Sequence, residues 1–134
     1  MDSAVLLNES LEKLDIVEQD QKVIVKIDYT VMDDSIKNPV LGVAIRTVDN
    51  HYVCGLNTLL DNVEIPFKKG KNTFYIEYGK MSLLTGEYYF DVAFFEEHAT
   101  VPLVYKTKYI NMFISGRYSG EGIVILDHEW KGKL

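Results

Sequence analysis

The feature that most constrains the fold is an alternation of apolar and polar side chains over residues 22–31. Every odd position there is apolar, and every even position except Ile24 is polar. A repeat of two is that of a β-strand with one buried and one solvated face, because successive side chains point to opposite sides. This segment therefore predicts a half-buried strand.

Residue choice extends this prediction to the whole chain. Valine, isoleucine, threonine and the aromatic residues make up 48 of the 134 residues, whereas alanine occurs only four times. Such side chains suit a pleated sheet and lose rotamer freedom in a helix. Further strands are predicted over residues 40–48, 52–56, 62–67, 72–78, 87–95, 108–115 and 122–126. Only residues 10–17 suit a helix, and they suit an irregular edge strand equally well. These strand lengths and spacings predict one all-β domain of two packed sheets, spanning residues 1–134.

Composition disfavours several kinds of partner. The formal net charge of −6 and the isoelectric point near 5.0 argue against nucleic acid and anionic membrane surfaces. No apolar run approaches the ~20 residues of a membrane-spanning helix, and the first residues lack the basic region of a signal peptide. The single cysteine, Cys54, has no partner for an internal disulfide, which favours a reducing compartment. We therefore expect no nucleic-acid partner and no direct membrane insertion.

The chain also lacks the residue patterns of common catalytic, cofactor and metal sites. The glycine-containing segment 116–122 has no Lys-Ser/Thr ending of a phosphate-binding loop. His51, His98 and His128 lie in separate segments without a partner at metal-ligand spacing. Cys54 falls inside a predicted strand, where a buried, unreactive thiol is expected. We therefore expect no enzymatic activity, no cofactor and no metal.

Two predicted strands carry aromatic and polar residues on the face opposite the core. Over residues 87–95, one set of alternate side chains is apolar or aromatic, and the opposite set contains Tyr89 and Asp91. Over residues 108–115, the set opposite the apolar one contains Tyr109, Asn111 and Phe113. If these strands pair, one outward surface holds all five residues, and Arg46 joins it if the strand over residues 40–48 lies alongside.

This surface has two interpretations. Aromatic rings beside Asp, Asn and Arg suit a sugar, because a ring packs on its C–H face while the polar groups bond its hydroxyls. Tyrosine and phenylalanine are equally at home where two subunits meet. The residues alone therefore leave open a glycan-binding surface and an oligomer contact.

Several motifs occur in an order that is typical of one family. They are NPVLGVAI at residues 38–45, Asp49-Asn50, GLNT at residues 55–58, LTGEY at residues 84–88, GIVI at residues 122–125, and Trp130. From about residue 5 to residue 130, the chain resembles the C-terminal carbohydrate-binding domain of Wzt-type subunits of O-antigen polysaccharide ABC exporters.

The resemblance implies an immunoglobulin-like antiparallel β-sandwich that binds the exported glycan, often at its non-reducing end, and so selects chains for export. It implies a homodimer in which the last strand, residues 123–126 here, is exchanged between protomers. It also implies transporter ATPase and membrane subunits as partners, and a cytoplasmic location at the inner face of the bacterial inner membrane. The chain has no Walker A motif, so ATP hydrolysis is not expected of it.

The outward surface supplies the candidate glycan contacts, which are Arg46, Tyr89, Asp91, Tyr109, Asn111 and Phe113. Secondary candidates are Tyr75, His128 and Trp130. Trp130 suits an anchor for the exchanged strand equally well. The alternative function is an assembly module whose aromatic face closes a dimer and binds no sugar.

Overall fold

The computed structural model describes residues 1–134, which form eight β-strands and no helix. The strands are β1 Ser3–Leu7, β2 Ile16–Glu18, β3 Val23–Val31, β4 Val40–Thr47, β5 Tyr52–Asn57, β6 Gly70–Tyr78, β7 Gly86–Phe95 and β8 Pro102–Ser115. The predicted all-β class is confirmed. A helix able to cross a membrane is not found in the chain.

The strands form two sheets. The smaller sheet has the order β1-β3-β6 and the larger one the order β2-β8-β7-β4-β5. All neighbours are antiparallel except β2, which runs parallel to β8. The orders correspond to the A-B-E and G-F-C-C′ sheets of an immunoglobulin-like sandwich. The predicted sandwich is thus confirmed, with β2 as a short parallel addition at one edge.

The hydrophobic core lies between the two sheets and follows the predicted alternation. The odd residues of β3 face it and are at most 5% exposed, and Tyr88, Phe90, Val92 and Phe94 of β7 face it from the larger sheet. Ile110, Met112 and Ile114 of β8 complete this wall of the core. Burial of such side chains contributes about 25 cal/mol per Å² of apolar surface removed from water. The opposite residues of β4, β7 and β8 consequently form the outer face of the larger sheet.

One buried tyrosine links the start of β7 to the segment before it. The Tyr88 side chain is 4% exposed, and its hydroxyl donates to the carbonyl oxygen of Leu84 at 2.7 Å. A tyrosine at this place, bonded to backbone a few residues upstream, is the tyrosine corner of immunoglobulin-like sandwiches. It holds the crossing between the sheets against the core.

The strand predicted over residues 62–67 is wrong. After β5 the chain makes tight turns in which Asn57 Oδ1 accepts from the Leu60 amide at 2.8 Å, and Asn62 has a φ of 54°. The segment then crosses between the sheets, and Pro66 has no amide hydrogen to give a β-ladder. Ile65 and Phe67 still pack against the core, which explains the apolar alternation that suggested a strand.

Residues 10–17 form no helix. The Asn8 side chain accepts from the amides of Ser10 and Glu12, both at 2.9 Å, and Leu11 has a φ of 64°. The segment is therefore a turn, and its end enters the short edge strand β2. The edge-strand alternative holds only for residues 16 and 17.

The strand predicted over residues 122–126 is reduced to one bridge within the chain. Val124 pairs with Leu83, and the Leu84 amide donates to the Ile123 carbonyl oxygen at 2.8 Å. The Ile125 amide donates in turn to the Ser82 carbonyl oxygen at 2.8 Å. Exchange of this segment between protomers stays a prediction.

Candidate functional site

The outer face of the larger sheet contains a groove of about 330 Å³, which we call the outer groove. This volume is at the lower end of the ~300–1,000 Å³ typical of small-molecule sites. Its lining consists of Gly42, Val43, Ala44, Tyr52, Gly55, Leu56, Asn57, Leu60, Asp91, Ala93, Phe95, Ala99 and Tyr105. The groove thus runs across strands β5, β4, β7 and β8.

Small residues keep the sheet surface of the groove low. Gly42 of β4 stands opposite Ala93 of β7, and Ala44 stands opposite Gly55 of β5. Added methyl groups have no room at the two glycines: a Cβ at Gly42 would lie 3.3 Å from Phe95 Cε2, and one at Gly55 would collide with the Tyr52 ring. The aromatic rings consequently lie across the sheet instead of standing on it.

Aromatic side chains make up much of the groove surface. Tyr52 is 59% exposed and Tyr105 is 45% exposed, so their rings are available to a ligand. Tyr105 is braced by an edge-on contact with Phe95, with ring centroids 6.3 Å apart and planes at 85°. Edge-to-face packing of this kind holds an aromatic ring in a defined orientation.

An ion pair between the buried Asp91 of the groove lining and the partly exposed Arg46 lies at the groove. The Asp91 side chain is 3% exposed, and its Oδ2 accepts from Arg46 Nε at 2.7 Å. The guanidinium of Arg46 also covers the Tyr52 ring, 4.7 Å from its centroid. The hydrogen bond to Asp91, together with the nearby Tyr105 hydroxyl, raises the pKa of Arg46 above its ordinary value. The arginine therefore stays charged and is held on two sides.

Asp91 also fixes a bulge in β8. Phe90 pairs with Ile110 and Val92 pairs with Lys106, so three residues of β8 oppose the single residue Asp91. At the middle of these three, Lys108 has a φ of 49°, and its amide donates to Asp91 Oδ1 at 2.9 Å. The Tyr105 hydroxyl makes a longer contact of 3.4 Å with Asp91 Oδ2. One carboxylate thereby joins β4, β7 and β8.

A second polar cluster lies beyond Arg46 on the same face. Tyr89 stands opposite both Arg46 and Asn111. The Tyr89 hydroxyl and the Asn111 amide both donate to Glu87 Oε1, at 3.0 and 3.1 Å, and the bond to Glu87 raises the pKa of Tyr89. Lys108 Nζ lies 5.3 Å from the centroid of the Tyr89 ring. Aromatic, amide and charged groups are thus interleaved here.

The structure brings together four of the six main candidate contacts and places a fifth beside them. Asp91 lines the outer groove and Arg46 pairs with it, Tyr89 and Asn111 form the adjoining cluster, and Phe113 follows at 45% exposure opposite Glu87. The sixth candidate, Tyr109, is half-buried and packs against the core. Tyr109 departs from the predicted alternation because it belongs to the bulge.

The secondary candidates lie elsewhere. Tyr75 is 48% exposed on β6 of the smaller sheet. His128 and Trp130 lie in the C-terminal tail, with ring centroids 6.3 Å apart, and Trp130 is 93% exposed. None of the three lines the outer groove.

Sequence reasoning missed Tyr52 and Tyr105 and did not select Phe95. Phe95 is an odd residue of β7, as are Tyr89 and Asp91, so the alternation of that strand already places it on the outer face. Tyr52 follows the turn at Asp49-Asn50, so a hairpin register places it near Arg46, which it faces. The alternation does not predict a strand at Tyr105, because the bulge in β8 shifts the alternation between Tyr105 and residue 110.

One loop beside the groove is organised by a single carboxylate. Glu96 accepts hydrogen bonds from the amides of Thr100 at 2.7 Å, His98 at 2.8 Å and Val101 at 3.2 Å. These bonds lower the pKa of Glu96 to about 2, the bond from Thr100 having the largest effect. The loop so held carries Ala99 to the edge of the groove.

No group of three or more His, Cys, Asp or Glu side chains is placed to hold a metal ion.

Comparison with known proteins places the chain in a family. The sequence profile of the Wzt C-terminal domain matches residues 1–126. The chain belongs to the Wzt C-terminal domain family. A solved structure described as the crystal structure of the C-terminal domain of wzt matches 97% of this chain and 81% of its own, with a TM-score of 0.78 and 15% sequence identity. No curated protein matches the chain. In this member of the family, the larger sheet of the sandwich carries the outer groove.

Proposed function

We propose that this domain is a non-catalytic carbohydrate-binding domain that recognises an O-antigen-type polysaccharide, at its non-reducing end, for export by an ABC transporter. Its partners are the glycan, a second copy of the chain, and the ATPase and membrane subunits of the transporter at the cytoplasmic face of the inner membrane. The observation that carries the proposal is the outer groove, in which exposed rings stand beside a fixed arginine. Family membership supports the export context.

The groove has the chemistry that sugar binding needs. Tyr52, Tyr105 and Asn57 line the groove and offer ring surface for the C–H face of a sugar and an amide for its hydroxyls. Arg46, in contact with Asp91 and Tyr52, offers further hydrogen-bond donors beside it. The neighbouring cluster of Tyr89, Glu87 and Asn111 extends the polar surface along the sheet. A polymer lying along this face would contact both regions, and a dimer would add avidity to two weak sites.

A titration followed by backbone-amide NMR tests the proposal. The 134-residue chain is titrated with O-polysaccharide from its own source strain and with a structurally different polysaccharide. We expect shifts with the own-strain polymer only, clustered at residues of the outer groove and of the Tyr89 cluster. Absence of shifts with both polymers, or shifts confined to the smaller sheet, would contradict glycan recognition by this face.

Two tyrosines provide a matched pair of variants. Tyr105→Ala removes a ring from the groove, and Tyr75→Ala removes an almost equally exposed ring from the smaller sheet. Loss of an aromatic contact of about 1.4 kcal/mol should weaken polymer binding about tenfold in Tyr105→Ala. Tyr75→Ala should bind as the unaltered chain does.

The assembly module is the second candidate function, and the exposed apolar residues of the tail favour it. Val124, Leu126 and Trp130 are 55%, 76% and 93% exposed. A contact made through the tail leaves the outer groove free, whereas a contact made through the groove would cover it. Sedimentation tests both contacts: Tyr105→Ala loses the dimer only if the groove is the assembly face, and Trp130→Ala loses it only if the tail is.

A further inference from the structure

The outer groove carries no net charge. Asp91 is the only charged side chain in its lining, and Arg46 neutralises it at 2.7 Å. The whole chain carries a formal charge of −6. An anionic ligand in the groove would lie over the Asp91 carboxylate and would be repelled by the net negative charge of the domain. A ligand without charge avoids both effects.

Arg46 keeps hydrogen-bond donors for a ligand. Nε donates to Asp91, Tyr52 covers one side of the guanidinium, and the Tyr105 hydroxyl lies beside it. The two terminal nitrogens carry four N–H groups in a fixed plane, and the side chain is 25% exposed. Such a planar fork matches two neighbouring acceptor oxygens, which adjacent hydroxyl groups on a sugar ring provide.

We propose that the outer groove binds an uncharged pyranose ring, in which two adjacent hydroxyl groups accept hydrogen bonds from the terminal nitrogens of Arg46. The ring packs its C–H surface against Tyr52, whose ring lies over Gly55, and against Tyr105, beside the Phe95 ring that lies over Gly42. This inference rests on the proposed function and adds the class of sugar that the site selects, neutral against acidic.

Asp91 acts in this site as a positioning residue. Its oxygens already accept from Arg46 Nε, from the Lys108 amide and, at 3.4 Å, from the Tyr105 hydroxyl. With 3% of its surface exposed, it meets a ligand through Arg46 and Tyr105. Its negative charge cancels the positive charge of Arg46, and its hydrogen bond to Arg46 Nε fixes the direction of the two terminal nitrogens of the guanidinium.

Small glycosides of matched shape test the selectivity. The 134-residue chain is titrated, by NMR, with the methyl glycosides of glucose, galactose and mannose, and with those of glucuronic and galacturonic acid. We expect shifts at Arg46, Ala93 and Tyr105, and binding of glucose or galactose about tenfold or more tighter than that of its uronic acid. Equal or tighter binding of the acids would overturn the inference.

Two variants test the roles of the ion pair. Asp91→Asn keeps the side chain's size but leaves Arg46 without a counter-charge, so the preference for neutral over acidic glycosides should fall about tenfold or reverse. Arg46→Lys keeps the positive charge and loses the fork, so neutral glycosides should bind more weakly. If Asp91→Asn does not fold, Arg46→Lys alone decides. If Arg46→Lys binds the neutral glycosides as tightly as the unaltered chain does, and Asp91→Asn keeps the preference for neutral over acidic glycosides, the roles given to the two residues are wrong.

A parallel titration with the own-strain polysaccharide separates this inference from the proposed function. If the polymer shifts groove residues and the neutral glycosides do not, the inference fails and the proposed function stands. If neither polymer nor glycosides bind, both fail. If neutral glycosides displace the polymer and the acidic ones do not, both are supported.

Discussion

At the scale of single residues, Tyr88 combines a core contact with a backbone hydrogen bond. The ring lies in the core, and the hydroxyl satisfies the carbonyl of Leu84, itself 5% exposed. Burial raises the pKa of Tyr88. Removing the hydroxyl leaves a buried acceptor without its partner while the packing stays nearly the same.

Tyr88→Phe should therefore lower the free energy of unfolding by about 1–3 kcal/mol, the cost of leaving a buried polar group unsatisfied. Urea denaturation followed by circular dichroism measures this change. Tyr75→Phe is the matched control, because the Tyr75 hydroxyl is exposed and bonds no other group. Equal stability of the two variants would show that the Tyr88 bond contributes nothing to the corner.

At the scale of elements, the loop between β7 and β8 depends on the Glu96 carboxylate. Its pKa is about 2 in the folded chain, against an ordinary value of 4.5, because backbone amides donate to the ionised form. A folded-state pKa below the unfolded one contributes stability that is present above pH 4.5 and is lost as the pH falls from 4.5 to 2.

Glu96→Gln should lower stability at neutral pH and reduce the loss of stability between pH 4.5 and pH 2. Urea denaturation at a series of pH values measures both effects. Glu97→Gln is the control, since Glu97 is an exposed neighbour that pairs only with His98, at 3.6 Å. Should both variants show the same acid profile as the unaltered chain, the Glu96 network does not hold the loop.

At the scale of the whole molecule, the chain is acidic while its groove is neutral. Binding of an uncharged glycan in such a groove releases no counter-ions. Affinity for the own-strain polysaccharide should thus change less than about twofold between 0.1 M and 1 M NaCl, although the Debye length falls from ~10 to ~3 Å. Calorimetry at the two salt concentrations measures this, and a steep loss at high salt would point to a charged ligand.

Local alternation was enough to predict most of the fold. The odd residues of β3 and the even residues of β7 face the core as expected, because a strand's period of two depends only on its own backbone. The predicted strand at residues 62–67 failed because burial of Ile65 and Phe67 does not require a β-ladder, and Pro66 opposes one.

Sequence by itself therefore determined the class, the division into two sheets and the outward set of β7 that includes Tyr89 and Asp91, whereas Arg46 joined that face only through the pairing of β4 with β7. Only the tertiary structure decided which rings form a site. The bulge opposite Asp91 moved Tyr109 against the core, and it allowed β8 to continue back to Tyr105. Strand pairing brought Tyr52 beside Arg46. The physical reason is that a bulge, a strand register and an ion pair across strands depend on residues far apart in sequence, which local alternation does not record.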